Sequence, residues 1–206
     1  MPLVVTVALL KGGVGKTTTA VALAEAASLG ARTILIDAEP MGSAFRWSQL
    51  AAESGQPFRS TVVPLPAADL PRHIGQAIRG YAVVVIDAPP PGPGAERIAG
   101  GAIGVADVVV MPTPPEFAAL DRVPATAREA RDHRTRALAV LTMVRAGLAD
   151  RDAALAALTG WGVAVARTEL PLTVSVQRCY GLPVTGVLAR FGIDLMSELL
   201  EGMNHA

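Results

Sequence analysis

Lysine is almost missing from this chain. Lys11 and Lys16 are the only two in 206 residues, and every other strong base is an arginine. Cysteine is scarcer still: Cys179 stands alone, which excludes a disulfide framework or a cysteine-ligated metal centre within one chain. No apolar run approaches the roughly 18–20 residues of a membrane-spanning helix. The first residues lead straight into an apolar segment with no basic stretch before it, so no signal peptide is expected. Formal net charge is zero. A global basic field for nucleic acid is therefore absent, and any DNA contact must come from a local patch. Together these absences point to a cytoplasmic chain without a membrane anchor.

The hydrophobic fraction is 51%, much of it alanine and valine. That balance suits a buried parallel sheet under alanine-rich helices. The length fits one domain, taken as residues 1–206, with a core large enough to fold alone. A GC-rich coding bias accounts for the abundant Ala, Gly, Pro and Arg and for the shortage of lysine. Two lysines nevertheless persist within Lys11-Gly12-Gly13-Val14-Gly15-Lys16-Thr17-Thr18. Arginine is a broad planar fork, whereas lysine is a compact point charge on a thin stem. A tight backbone loop around a phosphate admits the second and not the first.

Short apolar strands alternate with helical segments, the pattern of a βαβ sheet. Strands are expected at Leu3–Leu9, Thr33–Asp37, Phe58–Val63, Ala82–Asp87, Asp107–Met111, Leu138–Val144 and Val163–Thr168. Helices are expected from Lys16 to an end at Gly30, at Ser43–Glu53 with Ser43 as N-cap, and at Asp69–Arg79. Further helices are expected at Glu116–His133, Asp150–Leu158, Val174–Tyr180 and Val187–Met203, with Pro124 kinking or splitting the first of them. Pro89 to Gly94 can be neither helix nor central strand, and Pro112, Pro114 and Pro115 are expected to stop the strand before them. The resulting fold class is a doubly wound, mostly parallel α/β sheet with helices on both faces.

The ordinary phosphate-loop pattern is G-x-x-x-x-G-K-[ST]. Gly15-Lys16-Thr17 supplies its end, but the position five before Gly15 is Leu10, and Lys11-Gly12-Gly13 stands in place of the first glycine. The chemistry follows all the same. Gly12, Gly13, Val14 and Gly15 let backbone N–H groups converge on phosphate oxygens, and the helix N-terminus adds its positive dipole end. Lys16 would reach the β- and γ-phosphates, with Thr17 and Thr18 beside it and the Thr17 hydroxyl on Mg²⁺. The bland alternative is a glycine-rich turn between strand and helix.

Lys11-Gly12-Gly13-Val14-Gly15-Lys16-Thr17-Thr18 resembles the deviant Walker A motif of the ParA/MinD family of ATPases. The resemblance implies a P-loop ATPase that uses ATP and Mg²⁺ and works as an ATP-dependent homodimer. By that resemblance the lysine matching Lys11 reaches across the dimer to the partner's phosphates, as an arginine finger does elsewhere.

Acids end two predicted strands. In an open parallel sheet the strand C-termini face the ligand crevice, which places Asp37 and Asp87 near the loop. Asp87 follows Val83-Val84-Val85-Ile86 and matches the Walker B acid that holds Mg²⁺; the other reading is a capping aspartate. Asp37-Ala38-Glu39-Pro40-Met41 resembles the family's D-x-D-P-Q segment with two departures, Glu39 for Asp and Met41 for Gln. The resemblance assigns Asp37 to Mg²⁺ or the attacking water and makes Glu39 a second acid needed for hydrolysis. Glu39 moves its charge by one methylene, and misplacing a positioned group by about 1 Å can cost roughly 100-fold in rate. ATP binding is thus better supported than fast hydrolysis, and Glu39 can also be read as an ordinary loop acid.

Trp47, the Val110–Pro115 segment with Pro112 beside the nucleotide, Thr168-Glu169-Leu170-Pro171 and Gly181-Leu182-Pro183-Val184 extend the resemblance to small ParA-type proteins. It implies partition of plasmid or chromosomal DNA: nonspecific DNA binding on the nucleoid, with hydrolysis stimulated by a centromere-binding adaptor. No helix-turn-helix extension is expected ahead of the first strand, which suits the small class. Candidate phosphate contacts are Arg128, Arg131, Arg134 and Arg136, then Arg145, Arg151, Arg167, Arg178 and Arg190. A MinD-like membrane positioner would end in a basic amphipathic helix. Here Asp194, Glu198 and Glu201 make the last segment acidic, so its apolar face is expected to pack on the protein. Positioning of a protein cargo and a non-hydrolysing nucleotide-binding scaffold stay open. A nitrogenase-type iron protein would need two cysteines.

Overall fold

Seven short strands lie side by side and run in one direction in the computed structural model, which describes residues 1–145 and 149–204. They are β1 (Leu3–Val7), β2 (Thr33–Asp37), β3 (Thr61–Pro64), β4 (Val83–Asp87), β5 (Val108–Thr113), β6 (Arg136–Leu141) and β7 (Ala164–Val165). Their order is β3-β2-β4-β1-β5-β6-β7, parallel throughout. The helices are α1 (Lys16–Ala27), α2 (Ser43–Glu53), α3 (Leu70–Ala77), α4 (Ala95–Gly104), α5 (Phe117–Leu120), α6 (Val123–Asp132), α7 (Asp150–Gly160), α8 (Val174–Gln177) and α9 (Gly186–Asn204).

Side chains of a strand alternate between the two faces of the sheet. Val5, Val7, Leu35, Val85 and Val110 point to one face, where α1, α2 and α9 bury Leu23, Trp47, Phe191 and Leu195. Val4, Ile34, Ile36, Val84, Ile86 and Val109 point to the other, covered by Leu70, Ile74, Ile98, Ile103, Val123 and Leu158 from α3, α4, α6 and α7. This is the expected doubly wound sheet with helices on both faces. Asp37 and Asp87 continue the alternation of Leu35 and Val85, so both carboxyls emerge on the α1 side.

The last helix closes that face. α9 packs along α1, and Gly192 lies so close that a Cβ there would sit 2.3 Å from the Ala22 carbonyl oxygen. Its apolar face is thus committed to the protein, as its acidic character led one to expect. Among the described residues no helix is long and apolar enough to cross a membrane.

Several elements depart from the sequence reading. β5 runs through Pro112 to Thr113 instead of stopping at Met111. Val110 faces β1, its carbonyl accepting from the Ala8 N–H, so Pro112 also faces that side. β1 has ended there, and proline's missing N–H costs no ladder bond. Gly42, not Ser43, occupies the N-cap of α2. α1 stops at Ala27, and Gly30 closes a turn after it. α4 was not anticipated at all. Pro124 lies in the first turn of α6, and the expected helix is split ahead of it into α5 and α6. β7 shrinks to two residues: the Ala166 N–H still donates to the Ala139 carbonyl of β6, but the N–H groups after it, those of Arg167 and Thr168, are taken by the Glu198 carboxylate on α9.

Candidate functional site

β1 delivers the chain to the middle of the sheet, beside β4 and β5, and the loop from Ala8 to Gly15 carries it into α1. Gly13 and Gly15 adopt φ of 72° and 89°, the left-handed region open to glycine. Gly15 is the N-cap of α1 and brings no capping side chain. The N–H groups of Gly12 through Thr18 find no acceptor among the described residues. Backbone donors left together like this, at the positive end of a twelve-residue helix, form an anion cradle.

Two contacts hold the loop from outside, and a third closes a turn within it. The Thr142 hydroxyl, just past β6, donates to the Val14 carbonyl at 3.0 Å. The Thr126 hydroxyl on α6 accepts from the Leu10 N–H at 3.4 Å. The Lys11 N–H donates to the Leu9 carbonyl at 2.7 Å.

Lys16 is buried, and its ammonium donates to the Lys11 carbonyl at 2.7 Å. Burial pulls its pKa below the usual lysine range, while Asp87 and Glu39 push it back up. The Lys11 side chain is half-buried, with no ion-pair or hydrogen-bond partner among the described residues. Thr17 donates to Asp87 Oδ2 at 2.7 Å, whereas Asp87 Oδ1 is buried without a partner among the described residues. Burial raises the Asp87 carboxyl to about 8, against the Thr17 hydrogen bond, and nearby Asp37 and Glu39 add to the rise.

Register explains why these groups meet. Asp87 pairs with Val7 across β1–β4 and with Asp37 across β2–β4, so the loop and both acids leave the sheet at one level. Asp37 is fully buried. Its Oδ2 accepts from the Phe45 N–H at 2.8 Å and its Oδ1 from the Glu39 N–H at 3.2 Å. The first of these bonds caps α2 from outside, satisfying a donor that Gly42 leaves free. Burial raises the pKa of Asp37 as well.

The structure thus brings together Lys16, Thr17, Asp87 and the free N–H groups of Gly12, Gly13, Val14, Gly15 and Thr18. Asp37 lies alongside but is turned toward α2, and Glu39 acts on the group through its charge. Pro112 is buried in β5, beyond the end of β1. Thr142 and Thr126 were not singled out from sequence, and a lone threonine carries no signal there. Trp47, buried against Phe58 and Tyr180, donates to the Leu182 carbonyl at 2.7 Å and belongs to the core.

The arginines divide into two groups. Arg151 pairs with Glu169 and Asp152, Arg167 with Glu198 and Glu201, and Arg190 with Asp194. Arg136 donates to the Gly202 carbonyl. Arg128, Arg131 and Arg134, at the exposed end of α6, have no ion-pair partner among the described residues.

Residues 5–205 match the family model described as the CobQ/CobB/MinD/ParA nucleotide binding domain. The chain is 43% identical over 115 residues to maintenance of carboxysome distribution protein A of Gloeobacter kilaueensis, covering 55% of the chain and 50% of that protein. It is 35% identical over 168 residues to the chromosome-partitioning ATPase Soj of Thermus thermophilus, covering 68% of the chain and 62% of Soj. The chain therefore spans only half to about three-fifths of these relatives' lengths. Among solved structures, the septum site-determining protein MinD of Pyrococcus horikoshii, complexed with Mg-ADP, superposes with a TM-score of 0.76 at 16% identity, covering 98% of each chain.

Proposed function

The chain belongs to the ParA/MinD family of nucleotide-binding ATPase domains, and on that premise we propose that it is a ParA-type ATPase. In this reading residues 1–206 form one ATPase domain that hydrolyses Mg-ATP in a nucleotide-sandwich homodimer. The dimer binds DNA nonspecifically on the nucleoid, and an adaptor protein at the cargo stimulates hydrolysis. One observation carries the reading: the unclaimed N–H groups of Gly12 to Thr18 surround a buried lysine and face a Thr17–Asp87 pair with an unpartnered carboxyl oxygen.

The donor set suits a hard cation. Thr17 and Asp87 offer oxygen, and Mg²⁺ takes few protein ligands and keeps its waters and the substrate's phosphates. Asp87 Oδ1 is an acceptor without a donor in a buried position, as a cation site requires. Bound there, Mg²⁺ supplies charge neutralisation at the transferring phosphoryl group. The rest is the chain's own work. The loop N–H groups and Lys16 hold the phosphates of the same subunit. Lys11 has no side-chain partner among the described residues and supplies positive charge to the other subunit. Asp37 and Glu39 orient the attacking water, Asp37 from a position fixed by α2.

Cargo is the finer question. Partition of plasmid or chromosomal DNA is the reading favoured by Soj. Positioning of a protein assembly is the second, favoured by the higher identity to a carboxysome distribution protein. Both ride on DNA. A membrane role is disfavoured, because α9 is acidic and its apolar face is buried on α1.

Lys11→Arg is the direct test. Arginine keeps the charge but not the thin stem. ATP affinity should stay within about threefold while steady-state hydrolysis falls by at least tenfold. Retained turnover in Lys11→Arg would remove Lys11 from the mechanism. Failure of the wild-type chain to bind Mg-ATP would remove the ATPase reading itself.

A further inference from the structure

We infer that Thr142 is a positioning residue for the phosphate loop, aiming the loop's N–H groups from the side opposite the ligand. The inference rests on the nucleotide reading above and adds to it a residue outside the loop.

Thr142 is fully buried, and its hydroxyl donates to the Val14 carbonyl at 3.0 Å. Val14 itself is buried, while Gly12 and Gly13 just before it are exposed. The contact therefore falls at the point where the loop dips toward the sheet. A peptide unit is planar and trans, so its C=O and the following N–H point in opposite directions. Fixing the Val14 carbonyl toward Thr142 fixes the Gly15 N–H away from it, toward the crevice. Gly15 is also the N-cap of α1, at φ 89°. The same peptide unit thus sets the entry of the helix whose first residues are Lys16 and Thr17.

Two further observations support a built contact over an incidental one. The Thr142 methyl lies 4.0 Å from the position of a Cβ on Gly15, so it walls the loop as well as bonding it. Met143, the next residue, is held at φ 55°, a left-handed conformation unusual for a side chain of its size. Strained backbone of this kind persists only where the surroundings over-determine it, and it clusters at functional sites. β5 anchors the other side, since the Thr142 N–H donates to the carbonyl of its last residue, Thr113, at 3.1 Å. Thr142 therefore links the end of the β5–β6 pair to the loop, a separation of 128 residues.

Glycines give the loop its freedom, and freedom works against a preformed anion cradle. Binding is strongest when donors are aimed before the ligand arrives. Without the Thr142 hydroxyl the Val14 carbonyl is buried and unsatisfied, and the peptide is free to flip.

The test compares Thr142→Val, Thr142→Ser and the wild type by calorimetric titration with Mg-ATP and with Mg-bound inorganic triphosphate, together with melting temperature. Ile103→Val, at the far end of α4, serves as a core change of similar small cost. Thr142→Val should weaken Mg-ATP binding by at least tenfold, and inorganic triphosphate by the same factor, because the effect acts on phosphates. Thr142→Ser should recover most of the loss, and Ile103→Val should lower the melting temperature without changing either affinity. Equal affinity of Thr142→Val and wild type overturns the inference. So does a loss confined to ATP, which would place Thr142 at the base or sugar. If the wild-type chain binds neither ligand, the nucleotide reading falls, and this inference with it.

Discussion

At the scale of the residue, the Asp87 carboxyl has one oxygen on the Thr17 hydroxyl and the other without a partner among the described residues. Its pKa is pushed up to about 8, whereas an ordinary aspartate titrates near 3.8. Between those values the folded chain holds a proton that the unfolded chain has released. The free energy of unfolding therefore falls as pH rises through this window, by at most about 1.4 kcal/mol per pH unit from one group. The contribution is complete below the unfolded value and gone above the folded one. The melting temperature of the nucleotide-free, Mg²⁺-free chain should drop from pH 5 to pH 8, and Asp87→Asn should flatten that slope. A slope unchanged in Asp87→Asn would assign it to other groups. Legibility in the sequence follows the same scale. Lys11 to Thr18 could be read directly, because a loop's chemistry is written in consecutive residues. Thr142 and Thr126 could not: their contacts span 128 and 116 residues, and neither residue type is unusual.

At the scale of the element, sequence reading found the strands and most helices and missed what depends on neighbours. Pro112 sits within β5 because β1 has already ended on its open side, a fact of sheet order that local propensity does not contain. α4 carries Gly100, Gly101 and Gly104, poor helix formers. A Cβ at Gly101 would lie 3.2 Å from Pro71 and one at Gly104 3.1 Å from His133, so α3 and α6 approach where side chains would block them. The same reasoning makes a paired prediction. Gly192→Ala gains helix propensity, worth up to about 1 kcal/mol. It also drives a methyl into the Ala22 carbonyl of α1 and should destabilise the chain by a net 1–3 kcal/mol or so. Gly75→Ala in α3 meets open space and should be neutral or stabilising. Urea unfolding of the two variants checks this; a Gly192→Ala variant as stable as wild type would mean that α1 and α9 can slide apart cheaply.

For the whole molecule, charge decides how DNA could be held. Net charge is zero, so attraction must come from a patch. Arg151, Arg167 and Arg190 are engaged by acids, whereas Arg128, Arg131 and Arg134 are exposed and without ion-pair partners among the described residues. Retention on random-sequence DNA should require ATP, be lost with ADP, and weaken steeply with salt. Arg131→Ala should reduce the slope of log affinity against log salt by about 1 while leaving sequence preference unchanged. Equal retention with ADP and ATP would sink the DNA-riding reading. The doubly wound architecture was legible at this scale, because alternating strands and helices admit few other arrangements. The arginine pairing was not, since it depends on which surfaces α9 brings beside the loop at Arg167 and Thr168.

α9 also constrains how the chain can be engineered. Leu188, Phe191, Leu195, Met196 and Leu199 roof one side of the sheet. A truncation ahead of α9 would open a broad oily surface over α1, and the product would report on aggregation before it reported on partners. Tags and domain fusions that draw on this helix carry the same hazard. Its outward residues, Arg190 and Ile193 among them, are the ones to substitute when the surface of α9 is probed for binding.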